Sequence, residues 1–249
     1  MSTENDRFAR VGDDPLVIEW HLQRHIMFTW EVDTEAVEPL LPPELTAVEV
    51  RPGIALFSVA ALLYQPGQFR PGSPPFLELV STVHVQADLS IDMPISRFAM
   101  YAVSVYSDSP DFIRQEGEKL FTPTTLDPSL RFTFTERWDG VDASDDDGPI
   151  VTLRNTHPSP VYTPDELWGQ HYNDTHGLHF GVWEWDGIKF EHMRGGDAGR
   201  FHPHPFFKGM DLSRVRGCYR QMIPAPGSPA TERFYRVRRL QAPRQSRAR

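Results

Sequence analysis

Cysteine and lysine are scarce in this sequence, and long apolar runs are missing. Cys218 is the only cysteine in 249 residues. That excludes an internal disulfide framework and a cysteine-based zinc site. Cys218 reads as a small buried apolar side chain, not a nucleophile. Only Lys119, Lys189 and Lys208 could form a lysine imine. No stretch of 18 apolar residues occurs, so no transmembrane helix is expected. The polar, acidic start MSTENDRFARVGDD lacks the basic and apolar parts of a signal peptide. These absences lead us to expect a cytoplasmic protein. GxGxxG, GxxxxGK[ST] and G-x-S-x-G are also absent, which argues against nucleotide binding and serine hydrolysis.

The composition is that of a folded domain, with 39% hydrophobic, 12% aromatic and 24% charged residues. The net charge is −9. Seven of the basic residues lie between Arg233 and Arg249, a stretch without acids, so the rest of the chain is strongly acidic. Such a body repels nucleic-acid phosphates. We expect neither a nucleic-acid nor a membrane partner. The domain plan is a flexible arm over 1–15, one domain over 16–241 and a basic tail over 242–249.

Hydrophobic alternation dominates. Ile26, Phe28 and Trp30 alternate with Met27, Thr29 and Glu31 as in a strand. Further strands are expected at 45–51, 54–64, 76–89, 97–107 and 130–138, with a last one near 233–240. Asp33 can cap a helix that buries Val37, Leu40 and Leu41 and stops at Pro42-Pro43. Ser109 and Pro110 start a second helix, with Phe112, Glu116 and Leu120 at helical spacing. TPDE (163–166) resembles a capping box before a short helix. GVDASDDDG (140–148) reads as an exposed acidic turn. Asp186-Gly187 signals a hairpin between 178–185 and 188–193. Many strands of similar length and few short helices predict a curved antiparallel sheet or barrel, a shape that commonly holds a ligand in its interior or mouth.

FLELVSTVHVQADL (76–89) is the most informative strand. Leu77, Leu79, Val83 and Val85 share one face; Glu78, Thr82, His84 and Gln86 share the other. That polar face lines a pocket or faces solvent. Histidines gather in HYNDTHGLH (171–179), followed by His192, His202 and His204. Their spacing fits no standard zinc motif, and we expect no metal and no other cofactor. One of them could enter the pocket as an acid or base. Trp183, Trp185, Phe190, Phe206 and Phe207 read as core, with a subset shaping a substrate cavity.

QRHIMFTWEVDTEAVEPLLPPELTAVEV (23–50), the strand bearing Glu78, and RQEGEKLFTPTTL (114–126) together resemble the acetoacetate decarboxylase-like superfamily. The resemblance covers roughly 20–140. It implies an α+β, mainly antiparallel fold, a curved sheet or barrel enclosing an apolar cavity. In the family's decarboxylases a buried lysine forms an imine with a β-keto acid. Arg24 matches the family's arginine, and Glu78 one of its acids. After Phe121, however, this chain reads Thr-Pro-Thr, placing Thr124 where the lysine would stand. Lys119 lies one helical turn earlier. The resemblance therefore implies catalysis by Arg24, Glu78, His84 and Lys119, the last if it turns inward. Thr124, Phe121, Trp183 and His179 are the candidate substrate-binding residues. The expected function is a cofactor-free lyase or cyclase acting on a keto acid or polyketide-like carbonyl metabolite by proton transfer, in biosynthesis of secondary metabolites and as a possible homo-oligomer. The alternatives are a non-catalytic binding protein using the same cavity and a metal-dependent enzyme built on the histidines.

Overall fold

The structure, a computed structural model, describes residues 8–10, 15–86, 90–92, 98–136, 140–154, 161–162, 167–175, 177–187, 189–193, 199–222 and 230–239. Seven strands form its centre: β1 (Leu16–Asp33), β2 (Ile54–Tyr64), β3 (Leu77–Gln86), β4 (Phe98–Ser107), β5 (Leu167–Asn173), β6 (His179–Asp186) and β7 (Ala230–Tyr235). Each pairs with the next, and β7 returns to β1, so the sheet closes into a barrel. Within this ring only β4 and β5 run parallel to each other. The fold is the expected mainly antiparallel barrel.

β1 supplies the closure. Its residues from Leu16 to Leu22 pair with β7, and those from Leu22 to Asp33 pair with β2. Between Leu22 and Arg24 the register with β2 slips by one residue, a β-bulge at Gln23. A bulge inserts one residue and reverses which alternate side chains face inward. Trp20 and Leu22 face inward before it, and Met27 after it. A second slip leaves Val103 as the extra residue in β4, between Ala102 and Ser104. Inward positions change there from Met100 and Ala102 to Val105.

The strands bury both faces, which explains the near-continuous apolar run of β2. Ala60, Leu62 and Tyr64 belong to the inner cluster with Trp20, Phe76 and Phe112. Phe57, Val59 and Ala61 belong to an outer core with Phe28, Leu79 and Val83. Val141, Ala143, Ile150 and Leu153 join that outer core from a four-stranded sheet of Arg131–Phe134, Gly140–Asp145, Gly148–Arg154 and Gly199–Phe201.

Two short helices connect the strands. In α1 (Thr34–Val37) Asp33 holds the N-cap position but makes no side-chain cap bond. Its carboxylate faces Arg214 and Arg216 at 3.4 and 3.5 Å instead. In α2 (Pro110–Gln115) the Ser109 hydroxyl accepts the Phe112 N–H at 3.2 Å. The helix continues as a π-helical turn, Glu116–Leu120, and ends at Phe121 with a left-handed φ of 57°. Phe112, Glu116 and Leu120 are all buried.

Three local expectations are corrected. Gly187 does turn, with φ +79°, but the two segments around it do not form a hairpin. β5 and β7 already flank β6, so Lys189–Met193 pairs with Arg216–Met222. The acidic turn shrinks to Asp146-Asp147, because Gly140–Asp145 pairs on both edges and buries Val141 and Ala143. TPDE lies outside the described residues, and the segment after it is strand β5, fixed by pairing with β4 and β6. Near the N-terminus, Phe8–Arg10 pairs in parallel with Ser90–Asp92.

Gly169 of β5 lies opposite Trp183 of β6. A Cβ there would sit 2.1 Å from the indole ring. Gly169→Ala is therefore expected to displace Trp183 and destabilise the fold by about 1–3 kcal/mol. Urea denaturation checks this, and unchanged stability would show that the indole can move aside freely.

Candidate active site

The barrel interior holds a partly open cavity of about 90 Å³. A single water needs roughly 10–15 Å³ by a comparable measure, so this space suits a small organic molecule. Every barrel strand contributes to its wall. β1 gives His25 and Met27, β2 Ala60 and Leu62, and β3 Glu78, Val80 and Thr82. β4 gives Met100, Ala102 and Val105, while β5 gives His171 and Asn173. β6 adds Trp183 and Trp185, and β7 adds Glu232 and Phe234. Glu116 and Thr122, from the π-helical turn and the loop after it, complete the lining.

Three glutamates share this apolar space. Glu78 is 9% exposed, and Glu116 and Glu232 are each 5% exposed. The Tyr64 hydroxyl donates a short hydrogen bond to Glu78 and lies 3.4 Å from Glu232 Oε2. Glu116 accepts from Trp20 Nε1 at 3.3 Å and from the Thr122 hydroxyl at 3.0 Å. Burial penalises the charged carboxylate and pushes Glu78 up to about 7, although the Tyr64 bond pulls the other way. Burial, reinforced by the nearby Glu78 charge, pushes Glu116 up to about 8. The same causes hold Glu232 well above the usual carboxylate range. No arginine or lysine among the described residues lines the cavity to offset them.

Two imidazoles face the acids. His25 is 1% exposed, packs edge-on against Trp185 at 4.4 Å, and has no hydrogen-bond partner on either ring nitrogen. The ring nitrogens of His171 are likewise buried and unpartnered. Desolvation pulls both down to about 3, so both are neutral at physiological pH. Gly181 leaves room for His171, since a Cβ there would meet its ring at 2.3 Å.

Of the candidates from sequence, Glu78 and Trp183 line the cavity. Arg24 is buried but does not line it; the Gln23 bulge turns the neighbouring His25 inward instead, and the Arg24 guanidinium donates to the Gln23 carbonyl at 2.9 Å. His84 lies further along β3, with Nε2 2.8 Å from the Ser58 hydroxyl, itself 2.7 Å from that of Thr29. Lys119 is exposed, and its Nζ donates to Gln115 Oε1 at 3.2 Å. Thr124 is half-buried in Thr124–Leu126, which pairs with β4. Phe121 stacks on His179 at 4.4 Å, away from the cavity lining.

The clustered histidines disperse. His171 enters the cavity, whereas His176 and the side chain of His192 lie outside the described residues. The side chains of Phe190 and Cys218 also lie outside them. His204 Nε2 sits 3.0 Å from Asp145 Oδ2, away from the barrel cavity, and groups with Asp145 and Asp147 within 4.8 Å. Its Nδ1 accepts the Phe206 N–H at 3.1 Å, which places the proton of a neutral ring on Nε2 and disfavours metal ligation there.

Sequence reasoning did not single out Glu116, Glu232, His25, Asn173 or Tyr64 as site residues. A signal existed for two of them. Glu116 shares the buried helical stripe of Phe112 and Leu120, and Glu232 alternates in register with Phe234.

No protein-family model matches the sequence, and no curated protein matches it either. Solved structures do. MppR, an enduracididine biosynthesis enzyme solved with HEPES buffer bound, superposes with a TM-score of 0.55 at 14% identity over 91% of this chain and 89% of that one. An acetoacetate decarboxylase-like enzyme from Sphingomonas wittichii RW1 gives 0.55 at 10% identity, over 91% and 94%. The acetoacetate decarboxylase from Legionella pneumophila gives 0.56 at 12% identity, over 92% and 89%. The fold is therefore that of the acetoacetate decarboxylase-like enzymes. No helix among the described residues is long and apolar enough to cross a membrane.

The buried acids predict a pH-dependent stability. A carboxyl raised by folding binds more protons in the native state than in the unfolded one. Its stabilising contribution is complete below about 4.5 and is lost as pH rises towards the folded values of about 7 and 8. The buried histidines oppose this only below their unfolded value of about 6.5. Between about pH 6.5 and 8.5 the melting temperature is therefore expected to fall. Glu116→Gln, which mimics the protonated acid, should flatten that slope. Thermal melts across the range check it, and equal slopes for both proteins would contradict the raised Glu116.

Proposed function

We propose that the protein is a cofactor-free acid–base enzyme that moves a proton beside the carbonyl group of a small substrate. The three glutamates in one apolar cavity, two of them titrating close to neutral pH, carry this reading. Glu78, at about 7, is partly ionised near neutrality, while Glu116, at about 8, is mostly protonated. Groups separated in this way can divide the roles of base and acid. The Glu78 carboxylate takes a proton from the carbon next to the carbonyl, and the electron pair moves to oxygen as the enolate. A neutral imidazole N–H from His25 or His171 supports that oxygen. Glu116 then delivers a proton to the enolate oxygen, or to a departing hydroxyl in a dehydration. The protons balance without any cofactor.

An imine route through Lys119 is disfavoured by its outward Nζ. Borohydride treatment with a panel of keto acids is expected to leave Lys119 unmodified. A reduced adduct at that residue, seen by peptide mass, would reverse the assignment.

The main test works with generic carbonyl compounds in place of the natural substrate. Small ketones incubated in D₂O should take up deuterium next to the carbonyl faster with the protein than without it. Glu78→Gln should slow this by about 10²-fold or more, the usual contribution of a positioned proton-transfer group. NMR follows the exchange, and melting curves confirm folding. Full exchange in a folded Glu78→Gln variant would remove Glu78 from the chemistry. No exchange with any carbonyl would leave the cavity as a binding site.

A further inference from the structure

We infer that the cavity is built for a carbonyl compound that also carries a protonated amine. This rests on the proton-transfer reading above and names its substrate class. Proton transfer needs one or two carboxyls, yet this cavity holds three, from β3, β7 and the π-helical turn. Buried carboxylates are ordinarily paired with a cation. Here Arg24 lies off the cavity lining and Lys119 points outward. Among the described residues no arginine or lysine lines the cavity, so the balancing positive charge is one that a ligand can bring.

A second feature points the same way. Asn173 lines the cavity and is 1% exposed. Its Nδ2 donates to the Leu120 carbonyl at 2.8 Å, which fixes the orientation of the amide. Its Oδ1 is left buried with no hydrogen-bond partner. That oxygen accepts and cannot donate, so a ligand pairs with it only through an N–H or O–H. An ammonium group offers three N–H donors, for Asn173 Oδ1 and the carboxylates. The indoles of Trp183 and Trp185 add aromatic surface to the same wall, which also favours a cation. A carboxylate ligand would meet an unpartnered acceptor and three acids.

Binding such a cation restores ionisation to Glu232, the carboxyl that the proton transfer leaves unused, and expels a proton near neutral pH, while Glu116 keeps its proton. The titratable groups facing it are His25 from β1, Tyr64 from β2, Glu78 from β3, Glu116 from the π-helical turn, His171 from β5 and Glu232 from β7. The two imidazoles are already neutral, so the released proton comes from Glu232.

Three ketones separate the possibilities: aminoacetone and 2-butanone, which are nearly equal in size and are cationic and uncharged, and the somewhat larger acetoacetate, which is anionic. Calorimetry at neutral pH, in buffers of different ionisation enthalpy, should show aminoacetone binding at least about tenfold tighter than 2-butanone, with proton release. Acetoacetate should bind weakest. In Glu232→Gln the preference of aminoacetone over 2-butanone should shrink towards one, and melting curves check that this variant is folded. Equal affinities, tighter binding of acetoacetate, or an undiminished preference in folded Glu232→Gln would overturn the inference. Deuterium uptake in the same samples separates the two claims. Preferential aminoacetone binding without exchange refutes proton transfer but leaves the cation site. Exchange of 2-butanone and aminoacetone with equal affinity and rate refutes the cation site but leaves proton transfer.

Discussion

From Leu16 to Leu22 the backbone of β1 pairs with β7, and from Leu22 onward it pairs with β2. This change of partner closes the barrel. A closed barrel has no free edge, and its interior is shielded from water by all seven strands at once. The cavity, the burial of its acids and their displaced pKa values all depend on that closure. So does the identity of the residues inside, because the Gln23 bulge next to the partner change reverses the alternation and sets His25, not Arg24, against the cavity.

Enclosure turns ordinary side chains into reactive ones. In water a glutamate is ionised and a histidine is partly protonated near neutrality. Inside the barrel the cost of burying charge drives each towards its neutral form: the glutamates up, the imidazoles down. The site thus pairs near-neutral acids with neutral imidazoles whose N–H groups are free to donate. Tyr64, Trp20 and Thr122 fix the carboxyls by hydrogen bonds, so the acids cannot turn away into the apolar wall. Aromatic packing of Trp20 with Tyr64, Phe76 and Phe112 holds these donors in place.

The solved structures that share this fold include acetoacetate decarboxylases and a biosynthetic enzyme. Chemistry on a shared fold is set by the side chains placed on it. Thr124, which sequence reasoning set at the lysine position of the decarboxylases, sits on a short strand outside the cavity lining. The nearby inward position on the same connection belongs to Glu116. The π-helical turn and the left-handed Phe121 determine that placement, by directing Glu116 inward and Lys119 to solvent.

Alternation and capping chemistry determined much of the architecture at the level of sequence. The two-faced strand around Glu78, the Ser109–Pro110 helix start and the mainly antiparallel strand content could all be read there, because each depends on residues close together in the chain; closure into a barrel could not. The resemblance between 20 and 140 pointed to the same fold. Partner choice could not be read. Asp186-Gly187 looks like a hairpin turn until β5 and β7 occupy both edges of β6. TPDE signals a helix, yet pairing with β4 and β6 holds the segment that follows it as a strand. The site was half legible for the same reason. Glu78 declared itself through its own strand, but Glu116, Glu232, His25 and Asn173 lie far apart in sequence and converge only when the barrel closes. A bulge is one residue of slip, invisible in composition and pattern, yet it decides which side chains enter the cavity. Sequence determined which groups were available; tertiary structure decided which of them share a buried interior, and with it their protonation.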